Sequence, residues 1–220
     1  MLDSGMIELL IDSIWETLFM VIVSSILAYV IGLPIGVVLN ITNKNGICPN
    51  KPINAVLGVL VNIFRSVPFL ILLIWIQPIT RMIVGTTVGP VSVVVPLVVS
   101  AAPFVGRMVE SSLSEVDSGV IEAAQSMGSN SWQIVYKVLI PEAKPSLLIG
   151  AAISVTTILG YSSMAGIVGG GGLGAVATNY GLYRYEDLIM LITVVIIVVI
   201  VQIFQELGMM FAKKLDNRLK

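Results

Sequence analysis

Charge is missing from long tracts of this 220-residue chain, and those tracts set what it can fold into. No Asp, Glu, Lys or Arg occurs between Glu16 and Lys44, between Arg81 and Arg107, between Lys144 and Arg184, or from Leu188 to Gln205. A further apolar stretch, Pro52 to Thr80, is interrupted only by Arg65. A charge-free run of about 18 residues or more can cross a hydrocarbon core of about 30 Å as a helix. The run after Lys144 is too long for one crossing, but its second half is glycine-rich, so the helix is expected to end near Ile167. Five spans follow, at 14–41, 54–78, 87–110, 146–167 and 187–212. With 56% hydrophobic and 11% charged side chains, the composition agrees, and the fold class is an all-α membrane protein.

Orientation follows from the basic residues, because Lys and Arg near span ends stay on the cytoplasmic side. With the N-terminus outside, Lys44, Lys51, Arg107, Lys137, Lys144, Lys213, Lys214, Arg218 and Lys220 lie inside, and only Arg81 and Arg184 lie outside. The opposite arrangement reverses that ratio, so the chain is read as N-out and C-in. The first apolar run is preceded by acidic residues and no Lys or Arg. It therefore lacks the basic start of a cleavable signal peptide, and the first span is expected in the mature protein.

One cysteine, Cys48, and no histidine exclude an internal disulfide and zinc sites built on those residues. Cys48 reads as a reduced, inert thiol of the first inside loop. No basic domain for nucleic acid is present, and no appended soluble domain is expected, so residues 1–220 read as one membrane domain. Five spans cannot divide into two equal halves. A path between similar halves then calls for two copies, and a two-fold homodimer is the natural arrangement.

The longest polar insert, 111–145, lies on the inside. Asp117 and Ser118 can cap a helix that Gly128 ends, and Asn130 with Gln133 resembles a second capping signal. A second short helix, Trp132 to Leu139, is expected to stop at Pro141, and Pro145 sits where the next span begins. Val120, Ile121, Ala124 and Met127 share one apolar side of the first helix, and Ala123 with Ala124 lets a surface come close. Two readings stand on the residues alone: a docking element for a partner, or an interfacial helix on lipid headgroups.

Glu122-Ala123-Ala124, then Gly128, then Val138-Leu139-Ile140-Pro141 resemble the EAA loop of permease subunits of bacterial ABC importers. The family has Ile and Leu where this chain has Val138 and Ile140, and both changes keep an apolar side chain. RSVPFLILLIWIQPITR at 65–81, AAPFVGRMVESSLSEVDSGVIEAAQSMG at 101–128 and GYSSMAGIVGGGGLG at 160–174 are similar to the methionine-importer branch, so the likeness covers nearly the whole chain. The resemblance implies a type I importer permease fold in the bacterial cytoplasmic (inner) membrane. It implies a homodimer joined to two cytoplasmic ABC ATPase subunits and an extracytoplasmic methionine-binding lipoprotein. It also implies that Glu122, Ala123, Ala124, Met127, Gly128, Trp132 and Pro141 couple the chain to its ATPase.

No glycine is followed directly by lysine, so the chain lacks the G-x-x-x-x-G-K-[ST] phosphate cradle. ATP and Mg are therefore expected on the partner ATPase, with no cofactor and no catalytic residue in this chain. Gly169, Gly171 and Gly174 match G-x-G-x-x-G, but without a preceding strand they read as a flexible outer turn.

Arg65 is an ionisable residue inside a span, which either faces a protein-lined or watery path or snorkels to the surface. Tyr161, Ser162, Ser163 and Met164 form the candidate translocation path near the outer end of the fourth span. The two serines have a structural alternative, bonding a carbonyl one turn back. The resemblance adds that Met164 from both copies closes the outward gate. The leading functional expectation is an ATP-driven methionine importer permease working by alternating access. The alternatives are a permease for another small amino acid or solute, a channel or secondary transporter, and an intramembrane enzyme.

Overall fold

A computed structural model of the chain describes residues 4–215. The described residues form an α-helical bundle around α5 (Pro90–Ser114), which is packed by α1 (Ser4–Thr42) and α9 (Lys144–Ala165). The last helix, α11 (Asp187–Leu215), lies against α9. Of the most apolar 18-residue window, 67% is buried in α5 and 11% in α11, which separates a core helix from one at the edge of the bundle.

Lipid tails are as apolar as the helices they surround, so close packing rather than water exclusion holds spans together. Small residues permit that packing here. A Cβ on Gly32 would stand 2.7 Å from Val105 Cβ, and one on Gly36 2.5 Å from the Gly106 carbonyl oxygen. Gly32 and Gly36, one helical turn apart, thus let α1 meet Ala102 and Gly106 of α5 backbone to backbone. Leu97, Ala101, Val105 and Val109 form the buried stripe of α5, with Met20 and Ala28 of α1 and Ile158 of α9 in the same core cluster. A second cluster joins Leu10 and Val21 of α1 to Leu159 of α9 and Ile189 and Ile200 of α11.

Four spans follow the expected boundaries closely, with α1 beginning ten residues earlier than the expected 14. The second span is corrected: it is not one helix over 54–78. α2 (Lys51–Ser66) and α3 (Phe69–Trp75) are separate and bent by 97°. Val67 leaves the helical region with φ −79° and ψ 122°, as expected for a residue pressed by the ring of Pro68 behind it. α4 (Gln77–Val84) completes the crossing and ends at Gly85, φ +84°. On the inner side, Arg107 of α5 bonds Glu110 at 2.7 Å and donates to Asn62 Oδ1 of α2 at 3.0 Å, fixing the first limb of the broken span.

Candidate functional site

Two regions carry the functional candidates, the inner loop and the outer end of α9. In the inner loop, α6 (Ser118–Ser126) begins where the Asp117 carboxylate accepts the Gly119 N–H at 2.7 Å. It ends in paired bonds, Gly128 N–H to the Gln125 carbonyl and Ser129 N–H to the Ala124 carbonyl, with Gly128 at φ +80°. α7 (Ser131–Ile134) opens on a reciprocal capping box between Asn130 and Gln133, both bonds 2.9 Å. Both caps stand where the sequence places them.

The second loop helix departs from expectation at its far end. Pro141 does not stop it. Residues 135–139 widen into a π turn, with the Ile140 N–H bonding the Val135 carbonyl, and α8 (Ile140–Glu142) carries the chain on toward α9. The wide turn gives the proline ring room where a regular helix would clash with the carbonyl four residues back. Ile134, Val135 and Leu139 are at most 3% exposed and lie in the core cluster with Leu113, Val116 and Ala143. The loop is therefore built into the bundle, with Cys48 Sγ also donating to Ser131 Oγ at 3.1 Å.

The single apolar side expected for α6 is divided in two. Ala124 is buried and Ile121 packs on the chain's own core, whereas Val120 and Met127 face out. Glu122, Ala123 and Gly128 are exposed. Trp132 and Tyr136, 79% and 72% exposed, join Met127, 82% exposed, on the outward surface of the loop. Tyr136, absent from the sequence candidates, stands four residues after Trp132 and is exposed like it. Glu122 also lines a cavity of about 460 Å³ with Asn40, Asn43 and Gln125.

At the outer end of α9, Tyr161 stacks on Phe69 of α3, ring centroids 4.7 Å apart. Ser162 and Ser163 both donate to the Leu159 carbonyl, at 2.8 and 3.1 Å, and Ser162 is 1% exposed. Their hydroxyls thus bond the helix itself, which is the structural alternative. Met164 is 44% exposed and is the open side chain of the set. Arg65 ends α2 just before the elbow, exposed, its guanidinium carbon 6.0 Å from the Phe104 ring centroid.

The glycine turn after α9, which leads into α10 (Gly172–Val176), is tightly held, which corrects its reading as flexible. Gly89 N–H bonds the Gly169 carbonyl and Gly170 N–H the Ala165 carbonyl, both at 3.0 Å. A Cβ on Gly174 would collide with the Ser163 carbonyl, and one on Gly166 with the backbone of Gly174 and Ala175. Glu16 and Thr17 of α1, absent from the sequence candidates, bond this turn from 156 positions away.

Residues 32–219 match the model of the binding-protein-dependent transport system inner membrane component family. The chain belongs to that family. Among its relatives, the probable D-methionine transport system permease protein MetI of Vibrio cholerae is 48% identical over 211 residues, covering 96% of this chain and 94% of the relative. The D-methionine transport system permease protein MetI of Escherichia coli K12 is 48% identical over 165 residues, 75% of this chain and 76% of the relative. A solved inward-facing conformation of the MetNI methionine ABC transporter is similar at TM-score 0.96 and 44% identity, covering 98% of this chain and all of that one. An amino acid ABC transporter solved with histidines shares the fold alone, at TM-score 0.77 and 22% identity. This transport-system component thus has the type I permease fold, with the second of its five crossings broken.

Proposed function

We propose that the chain is the permease subunit of an ATP-driven methionine importer. The observation that carries this is the 0.96 TM-score agreement, over 98% of the chain, with the permease of a methionine ABC transporter. It acts as a homodimer, with two ABC ATPases bound inside and a methionine-binding lipoprotein delivering cargo outside. ATP and Mg bind the ATPases, and this chain performs no covalent chemistry.

Closure of the ATPases pushes on the outward surface of the inner loop, where Glu122, Ala123, Met127, Gly128 and Trp132 are presented. Because Ile134, Val135 and Leu139 are packed in the same core as α5 and α9, displacement of the loop moves those spans as a body. A two-fold pair of such bodies rocks between inward- and outward-open arrangements. Met164 of each copy narrows the outer end of the path, and a thioether gives a closure that is apolar yet easily rearranged.

The test is uptake of labelled L-methionine by proteoliposomes holding this chain with its ATPase and binding protein. ATP-dependent accumulation is expected. An assembled complex that hydrolyses ATP but accumulates another small amino acid, and no methionine, overturns the substrate assignment.

A further inference from the structure

Glu16 is an ionisable side chain on α1, half-buried, and the path and loop described above make no use of it. Its Oε2 accepts the Gly172 N–H at 2.6 Å, while the adjacent Thr17 Oγ1 accepts the Leu173 N–H at 2.9 Å. Thr17 in turn donates to the Ser13 carbonyl at 2.8 Å, so its lone pairs are aimed outward from α1 at the turn. Bonds to a carboxylate are shorter and about twice as strong as neutral ones. Ionisable groups at a span are costly there unless they are used.

The backbone is shaped to receive them. Gly171 and Gly172 have φ of +80° and +69°, and a Cβ on Gly171 would stand 2.6 Å from Glu16 Oε2. Only glycine gives both that conformation and that approach. Two positions on, Gly174 lies with its backbone against the Ser163 carbonyl, next to Met164. A continuous path of contact thus runs from the Glu16 carboxyl through the turn to the tip of α9.

We propose that Glu16 is a positioning residue for the outer closure: its bond to Gly172 fixes the glycine turn, and the turn fixes Met164. This rests on the reading of Met164 as the outer gate. Releasing the bond is expected to free the tip of α9 and open the path from outside in the resting complex.

The experiment uses the full permease–ATPase complex without nucleotide, in a Cys48→Ser background that keeps Met164 and carries Thr157→Cys, two turns inward of Met164 on the same face of α9. Two quantities are read: deuterium uptake of residues 166–176, and labelling of Cys at position 157 by a membrane-impermeant thiol reagent from outside. Glu16→Ala is expected to raise both, labelling by about tenfold, the size of one lost hydrogen bond to a charged group. Glu16→Gln, whose side-chain carbonyl can accept the same N–H, is expected to restore both toward the parent. Unchanged deuterium uptake in Glu16→Ala overturns the proposal and leaves the gate reading standing. Faster uptake with labelling unchanged also overturns it. If position 157 is already labelled at the rate of an open outer loop with Glu16 and Met164 intact, the gate reading itself fails and the proposal falls with it.

Discussion

Single atoms at three residues decide much of this molecule. Gly36 has no room for a Cβ against α5, whereas Gly5 on the same helix has nothing within 4 Å. Gly36→Leu is expected to break the α1–α5 contact and Gly5→Leu to leave it intact, read as loss or retention of a monodisperse complex in size-exclusion chromatography. Gly128 is a different case, since open space surrounds it and only its φ of +80° constrains it. Gly128→Ala should therefore cost about 1 kcal/mol of loop stability through the backbone alone, and Gly128→Asn less, measured by deuterium exchange across 118–139. At the outer end, Met164→Ala removes the exposed side chain of the proposed gate. Faster passive methionine entry into vesicles is expected, and an unaltered leak would count against the gate.

Helices and loops show which sequence signals were sufficient and which were not. Charge-free runs located the four long spans, because their length is a property of the membrane and needs no tertiary information, whereas the stretch interrupted by Arg65 is the one that breaks. The loop caps were legible for a similar reason: each acts on a near neighbour, Asp117 on Gly119, Gly128 on Gln125 and Asn130 on Gln133. Proline was ambiguous. Pro34, Pro96 and Pro103 lie inside unbroken helices, while Pro68 marks a 97° elbow. α5 is packed along its length, which holds it straight through two prolines, whereas α2 ahead of Pro68 has Val61 as its one buried residue. Neighbour packing, invisible in a single sequence, decides the outcome. Arg107 supplies some of what α2 lacks, and Arg107→Ala is expected to loosen it by up to about 1 kcal/mol, seen as faster deuterium exchange over 55–66. The capping box makes a sharper case at this scale. Asn130→Ala should cost about 1 kcal/mol and speed exchange over 131–139 while leaving α9 unchanged.

Across the whole chain, the inner loop and the outer turn are held by contacts distant in sequence, and those were the features a linear reading missed. Glu16 reaches Gly172 across 156 positions, and Leu139 of the inner loop lies in one core cluster with Leu97 and Ile158 of the spans. Both ends tie back to the same central helices: the inner loop through Leu139 beside Leu113, and the outer turn through Gly89 to Gly169 at the start of α5. Under the proposed alternating access, a force applied at Glu122 and Trp132 has a packed route through that core to the spans. The most direct test is to measure ATP hydrolysis and methionine uptake together in proteoliposomes, comparing the parent complex with Glu122→Ala and Trp132→Ala at equal assembly. The account expects uptake to fall severalfold in both variants, with ATP hydrolysis losing its response to loaded binding protein. Uptake and stimulated hydrolysis both at the parent level in both variants would contradict the loop's role as the route by which the ATPases drive the spans.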